Sequence, residues 1–212
     1  MKKLTVIAIA ALLAIPLTGT TATDFLGHGD NSEMIEVGKK APGFDLPGVA
    51  GVNRSLDDFK GHYIVLEWVN LDCPVVADYY EEGTVQDVQA SLKSDGVIWL
   101  SICSAKPGQE GFYSGKDLRA RLAAIGSQAS DYLQDSYSKV ANKYGTDTAP
   151  TTFLIRPDGR IIYAGAFDDA GKTSTSGARK QANHLQTAYE ADRAGRKVEV
   201  TSTAPYGCEI EK

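Results

Sequence analysis

Tyr63-Ile64-Val65-Leu66-Glu67-Trp68-Val69-Asn70-Leu71-Asp72-Cys73-Pro74-Val75-Val76 is the stretch on which the reading of this chain turns. From Tyr63 to Val69 it is apolar except at Glu67, the pattern of a central strand buried on both faces of a parallel sheet. Pro74 suits the first turn of a helix, where its missing N–H costs nothing. Cys73 therefore falls between a strand end and a helix start. Unpaired N–H groups and the positive end of a helix dipole stabilise a thiolate there, and the thiolate is the reactive form of cysteine. A C-x-x-C motif would put a second cysteine at position 76, but Val76 stands there. Any partner for Cys73 has to come from elsewhere in the chain.

Working outward, the residues after Pro74 keep helical character to about Leu92, with an interruption near Gly83. Residues 97–102 read as a second buried strand, and residues 118–125 and 137–144 as short helices. Thr151-Thr152-Phe153-Leu154-Ile155, the turn residues Arg156-Pro157-Asp158-Gly159, and Arg160-Ile161-Ile162-Tyr163-Ala164 form a strong β-hairpin signal. A helix over residues 178–193 follows, ended by Gly195. The tail over residues 197–212 reads as irregular and carries Cys208. Strands alternating with helices and closed by a hairpin predict an α/β fold, a central mixed β-sheet flanked by helices. No internal repeat and no second domain is visible.

Met1-Lys2-Lys3, an apolar run from Leu4 to Leu17 and the small residues before Thr23 have the make-up of a secretory signal over residues 1–22. The apolar run is short for a bilayer span of roughly 20 residues. The expectation is an exported protein, periplasmic or secreted, with no membrane span after cleavage. Removing Lys2 and Lys3 takes the formal charge from −5 to −7, which argues against nucleic acid as a partner, since basic patches supply most of that affinity. The three cysteines, Cys73, Cys103 and Cys208, would meet an oxidising compartment where disulfides persist. An odd count leaves one thiol over. They lie far apart in sequence, and His28, His62 and His184 show no ligand spacing, so neither a metal nor another cofactor is expected.

Gly38-Lys39-Lys40-Ala41-Pro42-Gly43-Phe44-Asp45-Leu46, then Ser55-Leu56-Asp57-Asp58-Phe59-Lys60-Gly61, then an apolar strand ending in Cys73-Pro74, resembles the thioredoxin-like redoxins. More narrowly it resembles the peroxiredoxin-like branch of the alkyl hydroperoxide reductase and thiol-specific antioxidant superfamily. The likeness spans residues 37–208; it implies a redoxin domain over residues 37–196 and a Cys-bearing tail over residues 197–212. Ala149-Pro150 resembles the cis-proline loop of that fold, which faces the active cysteine, and Pro205-Tyr206-Gly207-Cys208 is similar to tails of exported peroxiredoxin-like proteins. Peroxiredoxins carry Pro-x-x-x-Thr/Ser-x-x-Cys; counted back from Cys73, Leu66 and Asn70 occupy the Pro and Thr positions. Asn70 can still donate a hydrogen bond to a thiolate or a peroxide oxygen. Pro150 matches the position of the family's activating arginine.

The resemblance implies Cys73 as the attacking thiolate and Cys208 as its resolving partner; Cys103 follows the second buried strand, on the same side of a parallel sheet as Cys73, and is the rival partner. Pro74, Ala149 and Pro150 shape the substrate pocket. Glu67 matches the buried acid of thioredoxins, a carboxyl that shuttles protons during thiol exchange; a hydrogen-bonded structural glutamate is the alternative. Asp72, beside Cys73, raises a thiol's pKa unless it is turned to solvent. The implied activity is thiol-dependent reduction of a peroxide, with a dithiol reductant such as a thioredoxin-like protein closing the cycle. Thiol–disulfide exchange with a protein disulfide is the second possibility, and a non-catalytic module stapled by a structural Cys73–Cys208 bond the third. Residues 166–173 fit a relaxed phosphate-loop pattern, but Asp168 and Asp169 would repel phosphate, and Asn53-Arg54-Ser55 matches a pattern too short to carry meaning.

Overall fold

A computed structural model describes residues 34–169 and 183–211. The expected signal over residues 1–22, the first turns of the helix expected from residue 178, and Gly171-Lys172-Thr173 lie outside the described residues. In chain order the elements are β1 (Asp45–Pro47), β2 (Asn53–Ser55), β3 (Ile64–Trp68), α1 (Pro74–Glu81), α2 (Thr84–Ser94), β4 (Ile98–Cys103), α3 (Gly115–Ala124) and β5 (Asp131–Gln134). They continue with α4 (Lys139–Tyr144), β6 (Thr148–Ala149), β7 (Thr151–Ile155), β8 (Ile161–Gly165), α5 (His184–Arg193) and β9 (Cys208–Glu209).

The central sheet runs β5-β4-β3-β7-β8. β3 lies parallel to β4 and β4 to β5, while β7 is antiparallel to both β3 and β8. This is the mixed sheet expected from the sequence, with the predicted hairpin forming its antiparallel side. All five residues of β3 are buried, because apolar layers cover both faces of the sheet. Val65, Trp99, Leu154 and Tyr163 meet residues of α1, α2 and α5, together with Leu118 of α3, on one side. Leu66, Trp68, Leu100, Ile102, Phe153 and Ile155 pack on the other against α4 and the N-terminal segment from Phe44 to Leu56. A strand in such a position has no polar face, which is why its sequence shows a run rather than an alternation.

The helical stretch after Pro74 is two helices separated at Gly83, as expected. The sequence reading assigned no strand to residues 45–55, which hold the short antiparallel pair β1–β2, nor to residues 131–134, which form the sheet-edge strand β5. The tail is not irregular throughout, because β9 pairs antiparallel with β6, placing Cys208 opposite Ala149 and Glu209 opposite Thr148. Strands of three residues such as β1 and β2 are too short to show a period. Among the described residues no helix is long and apolar enough to cross a membrane.

Candidate active site

β3 ends at Trp68, and the chain turns through Val69–Asp72 before α1 begins. The Cys73 N–H donates to the Asn70 carbonyl at 3.1 Å and closes this turn. Cys73 is the N-cap of α1, with extended backbone (φ −69°, ψ 124°) and Pro74 as the first helical residue. Its own carbonyl accepts the Ala77 N–H at 2.9 Å. The side chain is buried, 2% exposed, and Sγ lies 3.6 Å from the Ala149 carbonyl oxygen. That spacing suits a thiol donor once Cys73 carries a proton.

Cys73 is joined to Cys208 by a disulfide, with the Cα atoms 5.9 Å apart. The link is made possible by the β6–β9 pairing, which lays the tail strand beside the cis Ala149–Pro150 peptide. Gly207 enables the approach. Its φ is +142°, and a Cβ there would collide with the Ala149 carbonyl and the Pro150 ring, so a side chain would push the tail off the loop. Cys103 remains a thiol, 4% exposed, with Sγ 3.5 Å from the Gly111 carbonyl oxygen. Burial pushes its pKa up, away from reactivity.

Asp72 is neither turned to solvent nor an uncompensated charge beside the cysteine. Its carboxylate accepts the Gly111 N–H at 2.8 Å and the Tyr113 hydroxyl at 2.6 Å, and lies 3.6 Å from an Arg121 nitrogen. Arg121 also donates to the Leu71 carbonyl at 3.0 Å. Asn70 completes the loop: its Oδ1 accepts the Asp72 N–H at 2.9 Å. Gly111 packs so closely on the Asn70 amide that no side chain fits there. The loop carrying Cys73 is thus braced by a segment distant in sequence. Gly111, Tyr113 and Arg121 were not picked out from the sequence, because nothing local marks a residue that braces a loop through space.

Glu67 is 3% exposed. Its Oε2 accepts the Trp99 indole N–H at 2.9 Å and the Ser101 hydroxyl at 2.8 Å. Desolvation pushes its pKa up, against the pull of hydrogen bonds from Trp99, Ser101 and Tyr80. Cys73, Cys208, Asn70, Pro74 and Ala149 line one cleft of about 180 Å³, together with Cys103. Glu67 and Pro150 do not line it; Glu67 is buried in the layer between sheet and helices, held by Trp99 and Ser101. The floor of the cleft is Trp68, whose indole N–H donates to Ser104 at 3.2 Å.

The AhpC/TSA family model matches residues 37–164, more than half of the chain. The chain belongs to the AhpC/TSA family. Among the relatives of this AhpC/TSA protein is thiol-disulfide oxidoreductase ResA of Bacillus thuringiensis subsp. konkukian, 26% identical over 164 residues that cover 76% of this chain and 88% of ResA. A Coxiella burnetii protein carrying the peroxiredoxin name bcp is 31% identical over 132 residues, 60% of this chain and 85% of its own. The crystal structure of an uncharacterized conserved protein from Geobacillus kaustophilus matches with a TM-score of 0.75 at 24% identity, covering 85% of this chain and 94% of that one. A solution structure from Neisseria meningitidis, described as a thioredoxin, matches with a TM-score of 0.51 at 22% identity over 74% of this chain and 94% of its own. The fold is thioredoxin-like, and this AhpC/TSA chain is a redoxin whose two relatives above carry one name from each side of the family, disulfide exchange and peroxide chemistry.

Proposed function

We propose that this redoxin is an exported thiol peroxidase in which Cys73 attacks a peroxide and Cys208 resolves the product. The observation that carries the reading is the Cys73–Cys208 bond at the N-terminus of α1. In the forward reaction the Cys73 thiolate attacks the nearer peroxide oxygen. The O–O bond breaks, Cys73 becomes a sulfenic acid, and the other oxygen leaves as an alcohol or water after taking a proton. The Cys208 thiol then attacks the sulfenic sulfur, forming the disulfide and releasing water. A dithiol of the thioredoxin type returns both cysteines to thiols and is itself oxidised to a disulfide. The opening N–H groups of α1 and the Nδ2 of Asn70 are the donors for the developing negative charge. Glu67 serves as a buried proton reservoir. The peroxiredoxin relative supports this assignment, and a cystine at the site is consistent with export.

Peroxide consumption with a dithiol donor tests it. Cys73→Ser is expected to abolish turnover, and Cys208→Ser to leave a sulfenic acid on Cys73 that a cyclic diketone traps in a mass spectrum. Wild-type consumption by Cys73→Ser overturns the proposal.

A second reading, thiol–disulfide exchange with a protein, is favoured by the ResA relative and would require the tail strand to leave the cis-proline loop on reduction. An extended segment carrying a cysteine lies against the cis-proline loop in disulfide linkage to Cys73, the arrangement a mixed disulfide with a partner protein needs. It predicts mixed disulfides trapped in Cys208→Ser protein and little peroxide turnover. A permanent staple would instead show a reduction potential below roughly −300 mV.

A further inference from the structure

The tail is tied down on both sides of Cys208 by contacts that involve no sulfur. Before it, the Thr203 N–H donates to the Ala164 carbonyl at 3.2 Å, and Thr203 Oγ1 accepts the Ala166 N–H at 3.0 Å. Two residues ahead of the cysteine, the Tyr206 hydroxyl donates to Asp168 Oδ1 at 2.7 Å. The Tyr79 hydroxyl, from α1, donates to the same oxygen at 2.6 Å and also contacts the Tyr206 hydroxyl. Asp168 is buried, and hydrogen bonds to a carboxylate away from water are of the strong, charge-assisted kind. Beyond the cysteine, the Ile210 N–H donates to the Asp147 carbonyl at 2.7 Å, while its side chain packs on the apolar layer around Leu66 and Phe153. The Ser138 hydroxyl donates to the Glu211 carbonyl at 3.2 Å.

A tail held only by its disulfide would be released on reduction. This one has a polar anchor on α1 and β8's following turn, a two-pair ladder on β6, and an apolar anchor at Ile210. We propose that the tail stays docked when the Cys73–Cys208 bond is reduced, with Tyr206, Asp168 and Tyr79 forming a latch that positions the Cys208 thiol against Cys73. Tyr206 and Asp168 are positioning residues, acting through Cys208. Two consequences follow for the site. Closure of the disulfide is a local event that needs no return of a free arm. The Thr148–Ala149 edge also stays filled by the chain itself in both redox states, so an incoming extended polypeptide finds no free strand edge beside Cys73. That favours a small oxidant entering the cleft over a protein disulfide. This last step deepens the peroxidase reading; the docking itself does not depend on it.

Amide hydrogen exchange on the full chain, oxidised and then kept reduced with a phosphine, reads the docking directly. The Ile210 and Thr203 amides are expected to exchange within about tenfold of the same rate in both states, while amides of β3 and β7 serve as the internal control. Tyr206→Phe is expected to leave tail protection in place when oxidised and to speed tail exchange at least tenfold when reduced, with β3 and β7 unchanged. Asp168→Asn gives the same pattern by a second route. Tail exchange at the rate of an unstructured peptide in the reduced wild type overturns the proposal without recourse to any variant. Reduced Tyr206→Phe exchanging like reduced wild type removes the latch. Peroxide turnover does not enter the measurement, so its absence overturns the peroxidase reading alone.

Discussion

Glu67 sits in a layer where its neighbours are aromatic rings and aliphatic chains, and its carboxyl is held by Trp99 and Ser101. Burial raises its pKa in the folded state above the ordinary carboxylate range. A carboxyl raised on folding favours the folded state fully below its unfolded pKa, and that advantage is lost as pH rises through the folded value. Glu67→Gln keeps an acceptor for both donors and cannot ionise. The variant is therefore expected to gain on wild type in denaturant stability at pH 8, and to lose that advantage near pH 4. Equal pH profiles for the two proteins would show that folding does not shift the Glu67 pKa. Asp72 makes a complementary point at the same scale. It stands beside Cys73 in sequence, but its charge is directed to Gly111, Tyr113 and Arg121. Sequence adjacency set the concern, and side-chain direction removed it.

At the scale of elements, α4 shows how a short helix is fixed next to the site. Its N-cap, Ser138, has φ +53° and makes no side-chain cap. The capping is done by Asp135, whose carboxylate accepts the Val140 and Ala141 N–H groups at 3.0 and 2.9 Å and the Ser104 hydroxyl at 3.0 Å. Ser104 in turn accepts the Trp68 indole N–H, so the cap reaches the floor of the cleft. Asp135→Ala removes a cap and strands a buried hydroxyl, which together cost about 2–4 kcal/mol. Thermal unfolding followed by circular dichroism checks this, and a loss under 1 kcal/mol would mean that other groups cap α4. The tail strand is the other telling element. Its burial alternates, with Tyr206, Cys208 and Ile210 half-buried and Gly207, Glu209 and Glu211 exposed. That period of two was present in the sequence as apolar and charged residues by turns, and it is the signal by which β9 could have been found.

For the whole molecule, the disulfide closes a loop with a sequence separation of 135. Chain-entropy arguments put the stabilisation from so long a loop at up to about 5 kcal/mol, with about 2–4 kcal/mol typical. Reduction, or Cys208→Ser, is then expected to lower Tm by roughly 5–15 °C for a chain of this size. A smaller drop would indicate that the reduced chain keeps compactness in its unfolded ensemble. What the sequence determined by itself was whatever is written locally. The double-faced burial of β3, the turn chemistry between β7 and β8, and a cysteine followed by proline at a strand end all leave marks within a few residues. They were enough for the α/β class, the mixed sheet and the place of Cys73. The tertiary structure alone decided what lies opposite that cysteine. Asp72 meets its partners 39 and 41 residues away, and an odd set of three thiols carries no spacing rule for pairing. Cys208 wins over Cys103 because strand pairing on the cis-proline loop carries the tail to the mouth of the cleft, while Cys103 stays buried as a thiol facing the Gly111 carbonyl. Contacts of that range are set by the closing of the fold, and no local pattern of residues encodes them.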